Sequence, residues 1–286
     1  MKRSSKHGYS DGHSVELLRS GEQFFKANIE AIDSARNYIH FQTYIVDEDE
    51  TGTKIFDALV RAAERGVRTY LLLDAFGTKY LSGELVNKIE NSGILFRFFS
   101  PVFITKGFQL SLRLHHKVLL VDGELAIIGG LNFANRYHGK PGKKEWLDFA
   151  VSVRGPECIH INTILKRTWN KTFLSKAERS NETVPVVKRY DDNITLRVTE
   201  NNWYRNRIEI LRSYRSAFKH SHHHMIIFAS YFLPGRLERK LLRLASARGV
   251  DIKIVLAAES DAPIFKRATS FLYEYILRNN IRIYEY

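Results

Sequence analysis

At 286 residues the chain is long enough for two average domains or one large α/β unit, and its 44% hydrophobic content with 17 Gly and 6 Pro excludes collagen-like, low-complexity and disordered classes. One cysteine, Cys158, excludes a disulfide scaffold and a thiolate zinc ribbon, and fits a reducing compartment. Lys and Arg exceed Asp and Glu by 44 to 31, and the excess is uneven: residues 1–150 hold 20 basic and 18 acidic side chains, residues 151–286 hold 24 and 13, so the second part carries +11 of the +13. Such a field favours a polyanionic partner, nucleic acid or an anionic membrane surface, and charge does not choose between them.

Residues 1–13 form a polar tail with basic residues but no apolar stretch after them, unlike a signal peptide. No run reaches the roughly 18 to 20 apolar residues of a membrane span. The longest candidate, residues 117–130, is interrupted by Asp122 and Glu124. The sequence therefore predicts a protein without a membrane span that stays in the cytosol.

Residues 15–19 read as a strand, and Ser20 with Gln23 as a capping box opening a helix that buries Phe24, Phe25, Ile29 and Ile32. A strand over 38–46 follows, then a helix presenting Ile55, Leu59 and Ala62 and stopping at Gly66, where a positive φ is easy. Residues 67–74 read as an apolar strand, Leu85 and Ile89 mark one face of a helix, and 94–99 form another strand. Residues 158–174 look helical, and 175–182 form a polar connector.

The order then repeats at a separation of 183 to 187 residues: strand 194–198, a helix around Ile208 and Leu211, strand 225–233, a helix ending near Gly249, strand 251–257, a helix through 271–277, and strand 281–286. Arg65-Gly66-Val67 echoes Arg248-Gly249-Val250, Tyr44 echoes Tyr231, and Ile94 echoes Ile281. Alternating strands and helices predict an α/β fold of mixed sheets flanked by helices. The organisation is a first repeat over 14–182 and a second over 183–286.

Between the strand ending at Phe99 and the helix beginning near Cys158 lies a stretch with no counterpart in the second repeat. Residues 114–132 form an apolar hairpin turning at Asp122-Gly123 and ending in a glycine pair. On a regular strand His115 and Lys117 share one face and His116 points to the other. An imidazole and a cation side by side in apolar surroundings cost free energy unless they meet an anion, and phosphate is the obvious one.

The run His115-x-Lys117, four residues, Asp122, six residues, Gly129-Gly130-x-Asn132 resembles the HKD motif of the phospholipase D superfamily. The segments Glu145-Trp146-Leu147-Asp148 and Tyr231-Phe232-Leu233-Pro234, with the duplicated layout, resemble its bacterial cardiolipin synthases. The resemblance implies a duplicated phospholipase D-like fold whose second repeat is incomplete. It also implies phosphodiester chemistry without metal or other cofactor: one histidine attacks phosphorus to form a phosphohistidine, and a second protonates the leaving oxygen. In this sequence it assigns catalysis to His115, Lys117 and Asp122, and phosphate contacts to Asn132, Gly129 and Gly130. The physics agrees, because a neutral imidazole is a competent nucleophile near pH 7 and a fixed ammonium stabilises charge on phosphoryl oxygens. Asp122, seven residues from His115, falls on the opposite face or in the turn.

The implied function is phosphatidyl transfer between phosphatidylglycerol molecules, with an anionic phospholipid and the membrane surface as partners. A peripheral place at the cytoplasmic face of the cell membrane is likewise what the resemblance implies. A nuclease or other phosphodiesterase, and a non-catalytic membrane or nucleic-acid binding module, are the alternatives. Sites of this superfamily draw on two HKD motifs, and this sequence supplies one. It is expected to continue into a second HxK within roughly 20 residues beyond Tyr286, or else to pair two motifs in a homodimer.

Three other groups read as structural. His220, His222, His223 and His224 lack regular ligand spacing and suit a helix C-terminus. Residues 47–50 read as a solvated acidic loop. Arg205, Arg207, Arg212, Arg215 and Lys219 form a basic helix face equally suited to solvent and to anionic headgroups.

Overall fold

In a computed structural model, described over residues 8–100, 113–138, 146–171, 179–184, 188–192, 194–202, 207–259 and 263–286, the chain divides into two compact units, 1–198 and 199–286. The first contains, in order, β1 (Ser10–Arg19), α1 (Ser20–Ser34), β2 (Tyr38–Thr43), α2 (Glu50–Glu64), β3 (Arg68–Asp74), α3 (Gly83–Asn91) and β4 (Leu95–Phe99). It continues with β5 (Lys117–Val121), β6 (Leu125–Gly129), α4 (Asn135–His138), β7 (Phe149–Arg154), α5 (Glu157–Lys171) and β8 (Ile194–Leu196).

The strands make one mixed sheet in the order β4-β3-β2-β5-β6-β7-β1-β8. The β2-α2-β3-α3-β4 crossovers give parallel pairs, and every pairing from β2/β5 outward to β1/β8 is antiparallel. Both faces are covered, and strand alternation sorts side chains between them. Ile39 and Phe41 pack with Phe24, Phe25 and Ile32 of α1, Ile55 and Leu59 of α2, and Leu85 and Ile89 of α3. Tyr38, Leu120 and Ala126 pack on Cys158, Ile161 and Leu165 of α5, while Tyr70 and Leu72 meet Leu114 and Trp169.

β2 is buried along its whole length, and its polar side chains His40 and Gln42 find partners inside. His40 stacks on Tyr70 with centroids 4.4 Å apart and its Nε2 lies 2.9 Å from Ser180 Oγ. Burial holds its pKa down near 3, so it stays neutral. Gln42 donates to the Leu165 carbonyl at 2.9 Å. Ser180 is therefore core, and the polar connector expected over 175–182 is part of the fold from there on. Residues 175–178 lie outside the described residues.

Other expectations are corrected in detail. β1 begins at Ser10, inside the expected tail, and His13 is fully buried. Its Nε2 accepts the Glu157 N–H at 3.1 Å, and its Nδ1 faces the Ile194 carbonyl at 3.1 Å. Ser20 makes no cap: the helix is capped from Arg19 without a side-chain bond, and Gln23 reaches back to the Arg19 N–H at 2.7 Å. β2 stops at Thr43, and Val46 makes only an isolated parallel bridge to Phe133. The acidic run is engaged rather than merely solvated. Asp49 caps α2 through the Gly52 N–H at 3.1 Å, Asp47 pairs with Arg136 at 2.5 Å, and Glu48 accepts from Ser82. β8, expected to open the second repeat, hydrogen-bonds to β1 and closes the edge of the first sheet.

The second unit contains β9 (Asn201–Asn202), β10 (Arg207–Ile208), α6 (Glu209–His220), β11 (His224–Ala229), α7 (Arg236–Ala247), β12 (Asp251–Leu256), α8 (Pro263–Ser270), α9 (Tyr273–Arg278) and β13 (Arg282–Glu285). β11, β12 and β13 form a parallel sheet. One face packs Met225, Ile252 and Ile254 against Phe218, Leu242 and Ile276. The other carries Ile226, Phe228 and Tyr284 about half exposed. The helix expected through 271–277 is two short helices broken at Phe271 and Leu272. On the basic face of α6, Arg215 is bound to Glu238 at 2.6 Å, and Arg205 lies outside the described residues.

The duplication is visible in the ladders. Tyr38 pairs with Arg68 and His224 with Asp251, so β2 and β11 align at a separation of 186. That register sets Tyr44 level with Ser230, one residue from the expected match with Tyr231.

The β5–β6 hairpin turns through Asp122 (φ 52°) and Gly123 (φ 70°), with the Glu124 N–H donating to the Val121 carbonyl at 3.0 Å. Two successive positive φ values suit Asp-Gly. The Asp122 carboxylate then accepts the N–H groups of Arg36, Asn37 and Tyr38 at 2.9, 2.7 and 2.9 Å, locking the turn to the start of β2. Charge-assisted bonds of this kind are the strong ones. Asp122→Ala is expected to lower the unfolding free energy by about 2 kcal/mol in urea titration, with Asp122→Asn milder; unchanged stability would contradict this role.

Candidate functional site

At one end of the first sheet, β2 finishes at Thr43 opposite Lys117, the first residue of β5, and β6 finishes at Gly129 opposite Ala150 of β7. This is the carboxyl end of the parallel strands, where loops gather and α/β sheets place their sites. Lys117 is only 5% exposed. Burial lowers its pKa to about 8, against the raising effect of the Asp148 charge. Its Nζ lies 3.4 Å from His115 Nε2, so the two groups share a face as the alternation requires. His115 remains accessible to solvent. Desolvation, and then the Lys117 charge, lower its pKa and favour the neutral imidazole, against an opposing contribution from Asp74. His116 points elsewhere, its Nδ1 3.0 Å from Gln42 Oε1.

Tyr44 forms a wall to both groups. Its ring centroid is 5.3 Å from that of His115 and 5.5 Å from Lys117 Nζ. Asp74, fully buried at the end of β3, positions the approach to the histidine: Oδ2 accepts the Leu114 N–H at 2.8 Å, and Oδ1 accepts the N–H groups of Phe76 and Gly77 at 3.0 and 3.1 Å.

Asn132 is buried, donates to Tyr137 at 3.2 Å and leaves its Oδ1 without a hydrogen-bond partner. The glycine pair has a packing reason. A Cβ on Gly130 would lie 2.6 Å from Asp148 Oδ2, and one on Gly129 would lie 2.6 Å from the Ala150 Cβ. The space expected to admit phosphate against the backbone thus holds Asp148 and Ala150. Asp148 is held by the Phe149 N–H at 2.7 Å, and burial raises its pKa against the lowering effects of that bond and of Lys117.

The structure therefore gathers His115, Lys117, Tyr44 and Asp148. Asp122 stands apart from them at the far end of β5, in the turn described above. Tyr44, Asp74 and Asp148 are additions: in the sequence Tyr44 and Asp148 stand out only as parts of an echo and a flanking motif, and nothing local marks Asp74. Among the described residues no group of three or more His, Cys, Asp or Glu is disposed to hold a metal. His220 instead ends α6, with Nδ1 2.9 Å from the Ser216 carbonyl. No helix among them is long and apolar enough to cross a membrane.

Residues 28–169 and 214–286 match the family described as "Cardiolipin synthase, PLD-like domain". Cardiolipin synthase B of Salmonella typhimurium is 30% identical over 293 aligned residues, which cover 98% of this chain and 68% of that protein. Cardiolipin synthase 1 of Bacillus anthracis is 29% identical, covering 97% of this chain and 56% of that protein. Among solved structures, phosphatidylserine synthase of Haemophilus influenzae matches with a TM-score of 0.60 at 16% identity, over 93% of this chain and 68% of that one, a likeness of fold. With its duplicated strand order, its mixed sheet and the His115–Lys117 pair at the sheet's end, the chain belongs to the phospholipase D-like family that includes the cardiolipin synthases.

Proposed function

We propose that the chain carries out phosphatidyl transfer of the cardiolipin synthase type, moving a phosphatidyl group between phosphatidylglycerol molecules through His115. One observation carries the reading: a buried ammonium, Lys117, lies 3.4 Å from an accessible imidazole in a chain 30% identical over 98% of its length to a cardiolipin synthase. The imidazole attacks phosphorus with its Nε2 lone pair and the glycerol oxygen leaves with a proton from a general acid, in the family reading a second histidine. A hydroxyl of a second phosphatidylglycerol then gives its proton back to that group and attacks phosphorus, breaking the P–N bond and releasing neutral His115. Lys117 and the Asn132 amide stabilise the phosphoryl oxygens as charge develops. Asp122 supports the hairpin rather than the reaction.

The direct test supplies labelled phosphatidylglycerol and labelled DNA to the same protein. Cardiolipin and glycerol are the expected products, and DNA cleavage without lipid turnover would replace the reading with a nuclease. His115→Ala is expected to abolish transfer with the fold intact. Lys117→Ala should cost on the order of a hundredfold in turnover, as for other lost electrostatic donors. His116→Asn, facing Gln42, should retain most activity.

The two pKa shifts fix the pH dependence. Activity needs His115 neutral, and its pKa is lowered, so the acid limb falls below the usual histidine value of about 6.5. It needs Lys117 charged, so the alkaline limb falls near pH 8. A bell-shaped kcat/KM profile between these limits is expected, with Lys117→Arg moving the alkaline limb upward because a guanidinium stays charged. A profile still rising above pH 9 would contradict the role of Lys117.

A further inference from the structure

The loop after β3 holds two aromatic side chains out of the fold: Phe76 is 50% exposed and Tyr80 80% exposed. The loop itself is firmly built. Asp74 takes the N–H groups of Phe76 and Gly77, and its carbonyl takes the Thr78 N–H at 3.0 Å and hydroxyl at 2.6 Å. Gly77 sits against β2, where a Cβ would come 2.0 Å from the Tyr44 carbonyl oxygen. Leu81 packs on the core, and Glu48 fixes the far end through the Ser82 N–H and hydroxyl at 2.6 and 2.8 Å. A loop secured at both ends that still projects two large rings is shaped for an apolar partner.

The charges around the rings say which partner. Lys79 Nζ lies over Phe76 at 5.2 Å and over Tyr80 at 4.7 Å, and the Arg113 guanidinium lies over Phe76 at 5.0 Å. Of the neighbouring acids Asp47 is paired with Arg136 and Asp74 with Arg113 at 3.8 Å, while Glu48 accepts from the Ser82 N–H and hydroxyl, so among the described residues Lys79 is the cation left to meet an anion beside the rings. Rings interleaved with cations match the headgroup layer of an anionic bilayer, where aromatic side chains settle at the interface and Lys or Arg meet phosphates. The cations cover ring faces on which nucleic-acid bases would stack. The loop is also tied to the site, since the Asp74 carboxylate that anchors Phe76 and Gly77 holds Leu114, the residue before His115.

We propose that residues 75–81, with Arg113, dock the protein on an anionic phospholipid bilayer and set His115 at headgroup height. The proposal rests on the reading of the site as acting on phospholipid, and its test separates the two. Cys158 is the only cysteine and is buried, so Tyr80→Cys accepts an environment-sensitive fluorophore at one place. Vesicles of mixed phosphatidylglycerol and phosphatidylcholine are expected to shift the emission of this label to the blue and to expose it to bilayer-embedded quenchers. Pure phosphatidylcholine should do so weakly. The double variant Phe76→Ala, Tyr80→Ala should lose about tenfold or more in vesicle affinity by sedimentation, with an unchanged unfolding midpoint. Its turnover of monomeric short-chain phosphatidylglycerol should match the wild type, while turnover of vesicle lipid falls.

An unresponsive label together with wild-type vesicle binding by the double variant would overturn the proposal. So would a label that responds to single-stranded DNA and not to vesicles. Docking through the loop without turnover of either lipid form would support the surface and refute the reading of the site.

Discussion

A lysine ammonium buried at the end of an apolar sheet is the constraint on which the site depends. Lys117 is 5% exposed, and removing a charge from water costs several kcal/mol unless other charges and dipoles replace the water. Here the replacement is partial. The Asp148 charge opposes the loss and the Tyr44 ring faces the ammonium at 5.5 Å, yet burial prevails and lowers the pKa to about 8. In the proposed reading an arriving phosphate supplies the missing anion and meets a charge already stripped of solvent. Fixed electrostatic groups of this kind carry much of the stabilisation of phosphoryl chemistry, because nothing has to reorganise as charge develops.

The sheet is what makes such burial tolerable. Thr43, Lys117, Gly129 and Ala150 come from four adjacent strands whose register is fixed by core packing on both faces. Gly130 leaves room for the Asp148 carboxylate, and Asp74 pins Leu114 so that His115 emerges on the correct side. The polar row on the α5 side of β2, His40 and Gln42, extends this network, since Gln42 lies in reach of His116 and donates to α5. Two adjacent histidines therefore receive opposite environments, one accessible beside a cation and one turned toward a buried amide.

The His115–Lys117 pair was legible in the sequence because strand alternation forces residues two apart onto one face, and its environment follows from apolar flanks. The crossovers were legible because Gly66 and Gly249 end their helices with positive φ values of 87° and 88°. What escaped was held by distant partners. Asp74 is forty residues from the Leu114 it holds, and Asp148 meets the space left by Gly130 only after β6 and β7 pair. Asp122 matched a motif, yet its partners are backbone N–H groups at the start of β2. The Tyr44–Tyr231 echo misled for a related reason. Identity of side chain suggested a separation of 187, whereas hydrogen-bond register gives 186, and a one-residue slip exchanges the two faces of a strand. The reach of β8 back to β1 likewise depends on edge pairing, which periodicity within a strand does not encode.

The central claim is that His115, with its neutral form favoured by desolvation and by Lys117, becomes covalently bonded to phosphorus. Acid quenching of the protein during turnover of phosphatidylglycerol labelled in its phosphate, followed by peptide mapping, tests it most directly. The expected result is label on His115 in the wild type, absent from His115→Ala and formed equally with chelator present. Product formation with no labelled histidine under single-turnover conditions, or label on another residue, would contradict the account.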